Sequence, residues 1–161
     1  MLLVASCHHG PEPFATRGAY VAPKSGVRVL LYAKGTVPPH QDLANDAATI
    51  AVVCPTTKVG RPFRFEVAPG RASPRNVVVT TSATITEPWS ATSREAALSR
   101  AFADAGYAPP DAAELAEIAD AVDGIALGPK ATRIAGQTMA LTVESVEFEA
   151  TAPPTLASCS P

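Results

Sequence analysis

The spacing of apolar residues changes period once along this chain, and that change limits its fold more than any other feature. Up to about residue 86 the apolar residues alternate with period two, whereas residues 92–122 repeat them every three or four positions. Strands therefore precede helices. In residues 27–33, Val27, Val29, Leu31 and Ala33 share one face, while Leu30 and Tyr32 make the other apolar as well, the pattern of a central strand. A second strand is expected at 50–54, cut by Pro55 and separated from the first by Pro38-Pro39 and a polar loop. Residues 63–67 alternate cleanly, with Phe63, Phe65 and Val67 inward and Arg64 and Glu66 outward, and Pro69-Gly70 ends the run. Val77, Val79, Thr81, Ala83 and Ile85 then share a face, which predicts one long, half-exposed strand over 77–86.

At the change of period, Thr92 and Glu95 match a capping box, and Ala97, Leu98, Ala101, Phe102 and Ala105 form the apolar side of a helix that Gly106 stops. A second helix follows Pro109-Pro110, capped by Asp111 and running to about Val122 before Gly124, with Leu115, Ile118 and Val122 on one side. A closing strand is expected at 138–150, with a bulge near Glu144-Ser145 where the apolar phase shifts. This order predicts an α+β fold, a mostly antiparallel sheet of about five strands with two consecutive helices packed on one face; a β-sandwich with a helical insertion is the alternative. At 161 residues and 47% hydrophobic, the chain can build one core, and 6% aromatic content leaves that core mainly to Val, Leu, Ile and Ala. Residues 1–16 read as leader and tether, 17–150 as a single globular domain, and 151–161 as a C-terminal tail.

The first seven residues, Met1-Leu2-Leu3-Val4-Ala5-Ser6-Cys7, give an apolar stretch, two small residues and a cysteine. This resembles the lipobox of a bacterial lipoprotein. The resemblance implies cleavage of a signal peptide before Cys7, a diacylglycerol on its thiol and a membrane partner reached through that anchor. The basic and longer apolar regions of a complete signal peptide do not appear in these residues. Residues 8–16, with Gly10, Pro11 and Pro13 and no periodicity, read as the tether. With Cys7 lipidated, Cys54 and Cys159 remain. They either form one disulfide in an oxidising compartment, holding the tail against a strand end, or stay apart as a buried small apolar residue and a free tail thiol.

Signals for catalysis are sparse. No P-loop, dinucleotide turn or G-x-S-x-G elbow occurs, and Gly60 and Gly70 stand alone in loops. His40, beside Pro39 and near Asp42 and Asp46, is the one histidine in the interior of the chain and reads as a solvated loop residue. Glu144, Glu147 and Glu149 read as a polar strand face rather than a carboxylate pair. Cys7-His8-His9 cannot converge easily on one ion, and helical carboxylates lack the loop geometry of a calcium cage, so no metal or cofactor is expected.

Charge is distributed unevenly. Residues 1–86 hold nine Lys/Arg and four Asp/Glu, a net +5, whereas residues 87–161 hold four and eleven, a net −7. Lys58, Arg61, Arg64, Arg71 and Arg75 cluster around the third expected strand and form the candidate partner-binding patch. Asp111, Glu114, Glu117, Asp120 and Asp123 recur along the second helix, and the middle three are expected on the solvated face opposite its apolar side. A formal net charge of −2 and inward-facing Phe63 and Phe65 disfavour nucleic acid. The sequence thus points to a non-catalytic bacterial envelope lipoprotein, periplasmic or surface-exposed, that binds a protein or anionic polymer or self-associates. The alternatives are a structural subunit of a filament, appendage or virion, and a small-molecule carrier or minor hydrolase with a pocket between sheet and helices.

Overall fold

A computed structural model describes residues 10–56, 60–70, 75–81, 84–129, 145–148 and 152–160. Within them the fold is α+β, with a seven-stranded sheet and two helices. The strands are β1 (Glu12–Val21), β2 (Arg28–Val37), β3 (Ala48–Cys54), β4 (Phe63–Val67), β5 (Asn76–Thr80), β6 (Thr84–Pro88) and β7 (Ser145–Phe148). They lie in the order β6-β5-β4-β3-β2-β1-β7, every neighbouring pair antiparallel. Helices α1 (Arg94–Asp104) and α2 (Ala112–Ile125) pack on one face. A short 3-10 turn, Leu156–Cys159, follows near the C-terminus.

Two differences account for the strand count exceeding the expected five. The segment 77–86 is a hairpin rather than one long strand, with Thr80 opposite Thr84 and Val79 opposite Ile85. Odd residues face odd residues across this turn, so Val77, Val79, Ile85 and Glu87 share a face and the alternation passes through without a phase break. No Gly, Pro or Asn marks the reversal. β1, which contains most of the segment read as a tether, was not expected at all. Its Pro13 pairs with Thr36 on one side, and among the described residues β7 pairs with Thr16 to Ala19 on the other, so the missing proline amide lies outside that ladder. The expected 138–150 strand is represented by β7; its remaining residues, including the bulge near Glu144-Ser145, lie outside the described set.

The register settles which side chains face the helices. Tyr20 stands beside Val29, Val29 beside Val53, Val53 beside Phe63, and Phe65 beside Val79, so one row of alternate residues from each of β1 to β5 enters the core. The few aromatic residues are concentrated there. Phe63 meets Phe102 edge to face at 5.2 Å, and Phe102 meets Tyr107 at 5.5 Å. Phe65 lies 6.2 Å from Trp89, the only tryptophan. Truncating a buried Phe of this kind to Ala costs about 3–5 kcal/mol, so these rings carry much of what Val and Ala alone could not supply.

Both helices differ from the sequence reading at one end. α1 begins at Arg94 with Ser93 as its N-cap, not at a Thr92/Glu95 capping box. The Ser93 hydroxyl donates to the Pro88 carbonyl at 2.9 Å and accepts from the Ser90 amide at 2.9 Å, so it secures the turn before the helix. Gly106, at φ +87°, ends α1 as expected. α2 starts where Asp111 predicts, with the Asp111 carboxylate accepting from the Glu114 amide at 2.9 Å, but it runs through Gly124 to Ile125. A helical glycine costs about 1 kcal/mol, and fully burying Ile125 returns about 1.5–3 kcal/mol, so burial decides the helix end.

Candidate functional site

The acidic residues of α2, expected to be a solvated face, are mostly engaged within the molecule. Glu114 is 3% exposed. Its carboxylate accepts the backbone amides of Lys24 at 2.6 Å and Ser25 at 3.1 Å, thereby fastening the β1–β2 turn to the start of α2. Lys24 in turn pairs with Asp111 at 2.9 Å. The hydrogen bond from Lys24 is the main reason the Asp111 carboxyl is held below its ordinary range, assisted by the Glu114 amide. The Tyr20 hydroxyl donates to Glu117, and burial, followed by that bond, raises the Tyr20 pKa.

The second half of α2 docks against α1 through Arg94 and against the β5–β6 end of the sheet through Arg75 and Trp89. Arg94, at the first position of α1, donates from Nη2 to Asp120 at 2.6 Å and from Nη1 to Asp123 at 2.8 Å. Its side chain is 18% exposed; burial opposes the cation, and the two carboxylates more than offset it, so the pKa is raised. Asp123 also accepts from Trp89 Nε1 at 3.0 Å and from Arg75 at 3.4 Å. α2 has no basic residue in its last turn, so Arg94 and Arg75 supply the positive charge that the negative end of the helix favours. Arg94 Nε, Thr16 Oγ1 and the Tyr107 hydroxyl are the buried side-chain polar atoms without a hydrogen-bond partner among the described residues.

Of the five basic residues singled out from sequence, the described Arg61, Arg64 and Arg75 face different ways. Lys58 and Arg71 lie outside the described residues. Arg64 points away from the helices and pairs with Glu66 on its own strand, whereas Arg75 reaches Asp123 on the helix side and also donates to the Ala68 carbonyl. Arg61 is exposed, in a loop whose backbone amide binds the Ala105 carbonyl at 3.0 Å. Sequence proximity around β4 therefore hid a separation by sheet face. Exposed cations that the sequence reading passed over are Arg17, Arg28 and Lys34, all on the helix-free face of β1 and β2. The signal was present in β2, where Arg28 and Lys34 alternate with Leu30 and Tyr32 on the side opposite Val29, Leu31 and Ala33.

Cys54 and Cys159 are joined by a disulfide that closes 105 residues of sequence separation. Cys54 ends β3 on the helix-free face, and the Leu156–Cys159 turn packs against that strand. The turn buries none of its own residues, and Leu156 is 48% exposed, so the covalent bond is the main fastening of this turn. Cys7, the proposed lipidation site, lies outside the described residues.

A cleft of about 930 Å³ opens at the end of the sheet, between the start of β1, the β2–β3 loop and Pro129. Phe14, Val37, Pro38, Pro39, His40 and Asp42 line part of it. His40 is exposed, with φ +62°, in the loop where the sequence placed it. Among the described residues the lining holds no Ser, Cys, Thr or Lys, and the cleft sits beyond the sheet end rather than between sheet and helices. Among the described residues there is no group of three His, Cys, Asp or Glu suited to a metal ion, and no helix is long and apolar enough to cross a membrane.

No protein-family model, no curated protein and no solved structure matches this chain.

Proposed function

We propose that this chain is a non-catalytic, lipid-anchored binding module of the bacterial cell envelope. The observation that carries the reading is the Cys54–Cys159 disulfide. Such bonds persist in the periplasm and at cell surfaces and are rare where glutathione and thioredoxin keep thiols reduced. Pairing these two residues leaves Cys7 as the third cysteine, preceded by Val4, Ala5 and Ser6 in the arrangement that a lipoprotein peptidase accepts. Apart from Tyr107, whose hydroxyl is raised by burial alone, the perturbed ionisable groups are occupied in fastening turns and helices, which favours binding over chemistry: Asp111 with Lys24, Tyr20 with Glu117, and Arg94 with Asp120 and Asp123.

Expression in a bacterium from the longest upstream start codon, with a labelled fatty acid in the medium, tests this reading. The expected result is label in the protein and partition into membranes, both lost in Cys7→Ala. A soluble, unlabelled wild-type protein would overturn the anchor and favour a structural subunit, read out by concentration-dependent assembly.

A further inference from the structure

Arg17, Arg28 and Lys34 stand apart from nearly all other described cations. Lys24, Arg64, Arg75, Arg94 and Arg100 each have a carboxylate within ion-pair distance. Among the described residues Arg17, Arg28 and Lys34 have none, and Arg61, in its loop beside Ala105, is the only other described Lys or Arg in that position. The β1–β2 register puts Arg17 opposite Tyr32, Val21 opposite Arg28 and Ala15 opposite Lys34, so all three cations stand on the helix-free face. Arg17 and Lys34 are diagonal neighbours across the pair, about 7–8 Å apart, where like charges repel. Arg28 and Lys34 are six residues apart on one strand, about 20 Å. Folding gains nothing from this arrangement. Among the described residues, carboxylates do not cancel it: Glu66 is paired with Arg64, and Glu147, exposed and opposite Arg17 on β7, is one charge against three. Val21, 43% exposed, adds an apolar side chain to the same face.

We propose that this face of β1 and β2 docks on an anionic phospholipid surface through Arg17, Arg28 and Lys34. A second copy of the chain fits less well. Its acidic counterpart would be α2, whose Glu114, Asp120 and Asp123 are already bound to Lys24 and Ser25 amides, Arg94, Arg75 and Trp89. A bilayer fits because three exposed cations and the apolar Val21 stand around the buried Ala19 and Tyr32 on the side of the sheet away from the described helices, and because the proposed anchor brings them to it. In this respect the inference rests on the lipid-anchor reading: Glu12 lies five residue steps beyond Cys7, a reach of at most about 18 Å. Attraction of this kind falls off within a Debye length, so an anchor that holds this face near the bilayer adds to an attraction that the three charges already exert on their own.

The test uses full-length, unacylated Cys7→Ala protein and sedimentation with vesicles, either phosphatidylcholine alone or phosphatidylcholine with phosphatidylglycerol. Each cation near an anionic surface contributes about fivefold, so the three predict on the order of a hundredfold preference for the anionic vesicles, abolished by high salt. Replacing Arg17, Arg28 and Lys34 together by Gln should remove the preference. Placing the same charge change on the exposed helix positions Ala96, Ala103 and Ala113, as Glu, should leave most of it. Circular dichroism checks both variants, and the salt titration of the parent protein gives a readout independent of their folding. The proposal is overturned if the parent shows no preference for phosphatidylglycerol, if the helix variant loses as much as the sheet variant, or if the sheet variant instead changes self-association. Acylation of Cys7 without vesicle preference would remove this inference and leave the anchor standing; vesicle preference without acylation would do the reverse.

Discussion

Glu114 offers the sharpest test of the internal role of the acidic helix. Replacing it by Ala removes the acceptor for the Lys24 and Ser25 amides, at 2.6 and 3.1 Å, from a site only 3% exposed. Hydrogen bonds to a charged group contribute about 1.5–3 kcal/mol each, so two lost bonds amount to about 3–6 kcal/mol. Pro23, Lys24 and Ser25 are exposed, however, and their turn is free to rehydrate its amides, which places the expected loss near the lower end, about 3 kcal/mol. For a chain of this size that corresponds to a fall in Tm of roughly 6–12 °C. Glu114→Gln keeps an oxygen acceptor and should cost only about 1 kcal/mol. Urea denaturation of the three proteins gives the differences from the midpoints, provided the slope is unchanged. If Glu114→Ala stays within about 0.5 kcal/mol of wild type, as an exposed surface substitution does, the carboxylate does not fasten the turn and the reasoning fails.

Asp123→Ala should strand Trp89 Nε1, leave the Arg94 guanidinium with Asp120 alone and cost about 2–3 kcal/mol; because Trp89 is the only tryptophan, a shift of its emission in the native state reports the loss directly, and an unchanged spectrum and midpoint would count against the network. The Asp111 carboxyl is held low in the folded state, so its contribution is fully present above about pH 4 and disappears as the pH falls through the lowered value. Asp111→Asn, which keeps the cap, should therefore be less stable than wild type near neutrality and converge with it in acid; parallel curves would refute the assignment. Burial pushes the Tyr107 hydroxyl up to about 12 and leaves it without a partner among the described residues. Its contribution holds below about pH 10 and is lost as the pH rises toward 12, so Tyr107→Phe should flatten alkaline unfolding and raise stability at pH 7 by up to about 1 kcal/mol; a loss of more than that would reveal a hydrogen bond.

The fold class was legible because period and burial agree: every inward residue of 63–67 and the apolar side of each helix faces the core where alternation or helical spacing puts it. Turns that preserve the alternation were not legible, and 77–86 read as one strand for that reason. The acidic helix shows how a small error at an end spreads. With α2 stopped at Val122, its apolar arc centres on Leu115, Ile118 and Val122, and Glu114 falls about 70° to one side. Continuing through Gly124 adds Ile125, which points within about 20° of Glu114 and brings that carboxylate into the buried arc. The positions of Lys24, Arg75 and Arg94 beside α2 depend on tertiary packing, with Lys24 and Asp111 far apart in sequence. Local spacing carries no trace of such pairs. β1 was obscured by Pro13 near its start and Pro11 just before it, and with it the placement of Arg17 beside Lys34.

Intact-mass and peptide analysis of the protein extracted from bacterial membranes, alkylated before reduction, examines the anchor and the disulfide together. The account predicts an N-terminal peptide that begins at Cys7 and carries the mass of a diacylglycerol, together with a cross-linked peptide joining Cys54 to Cys159. Recovery of an unmodified Cys7 still attached to residues 1–6, with Cys54 and Cys159 both alkylated, would contradict it.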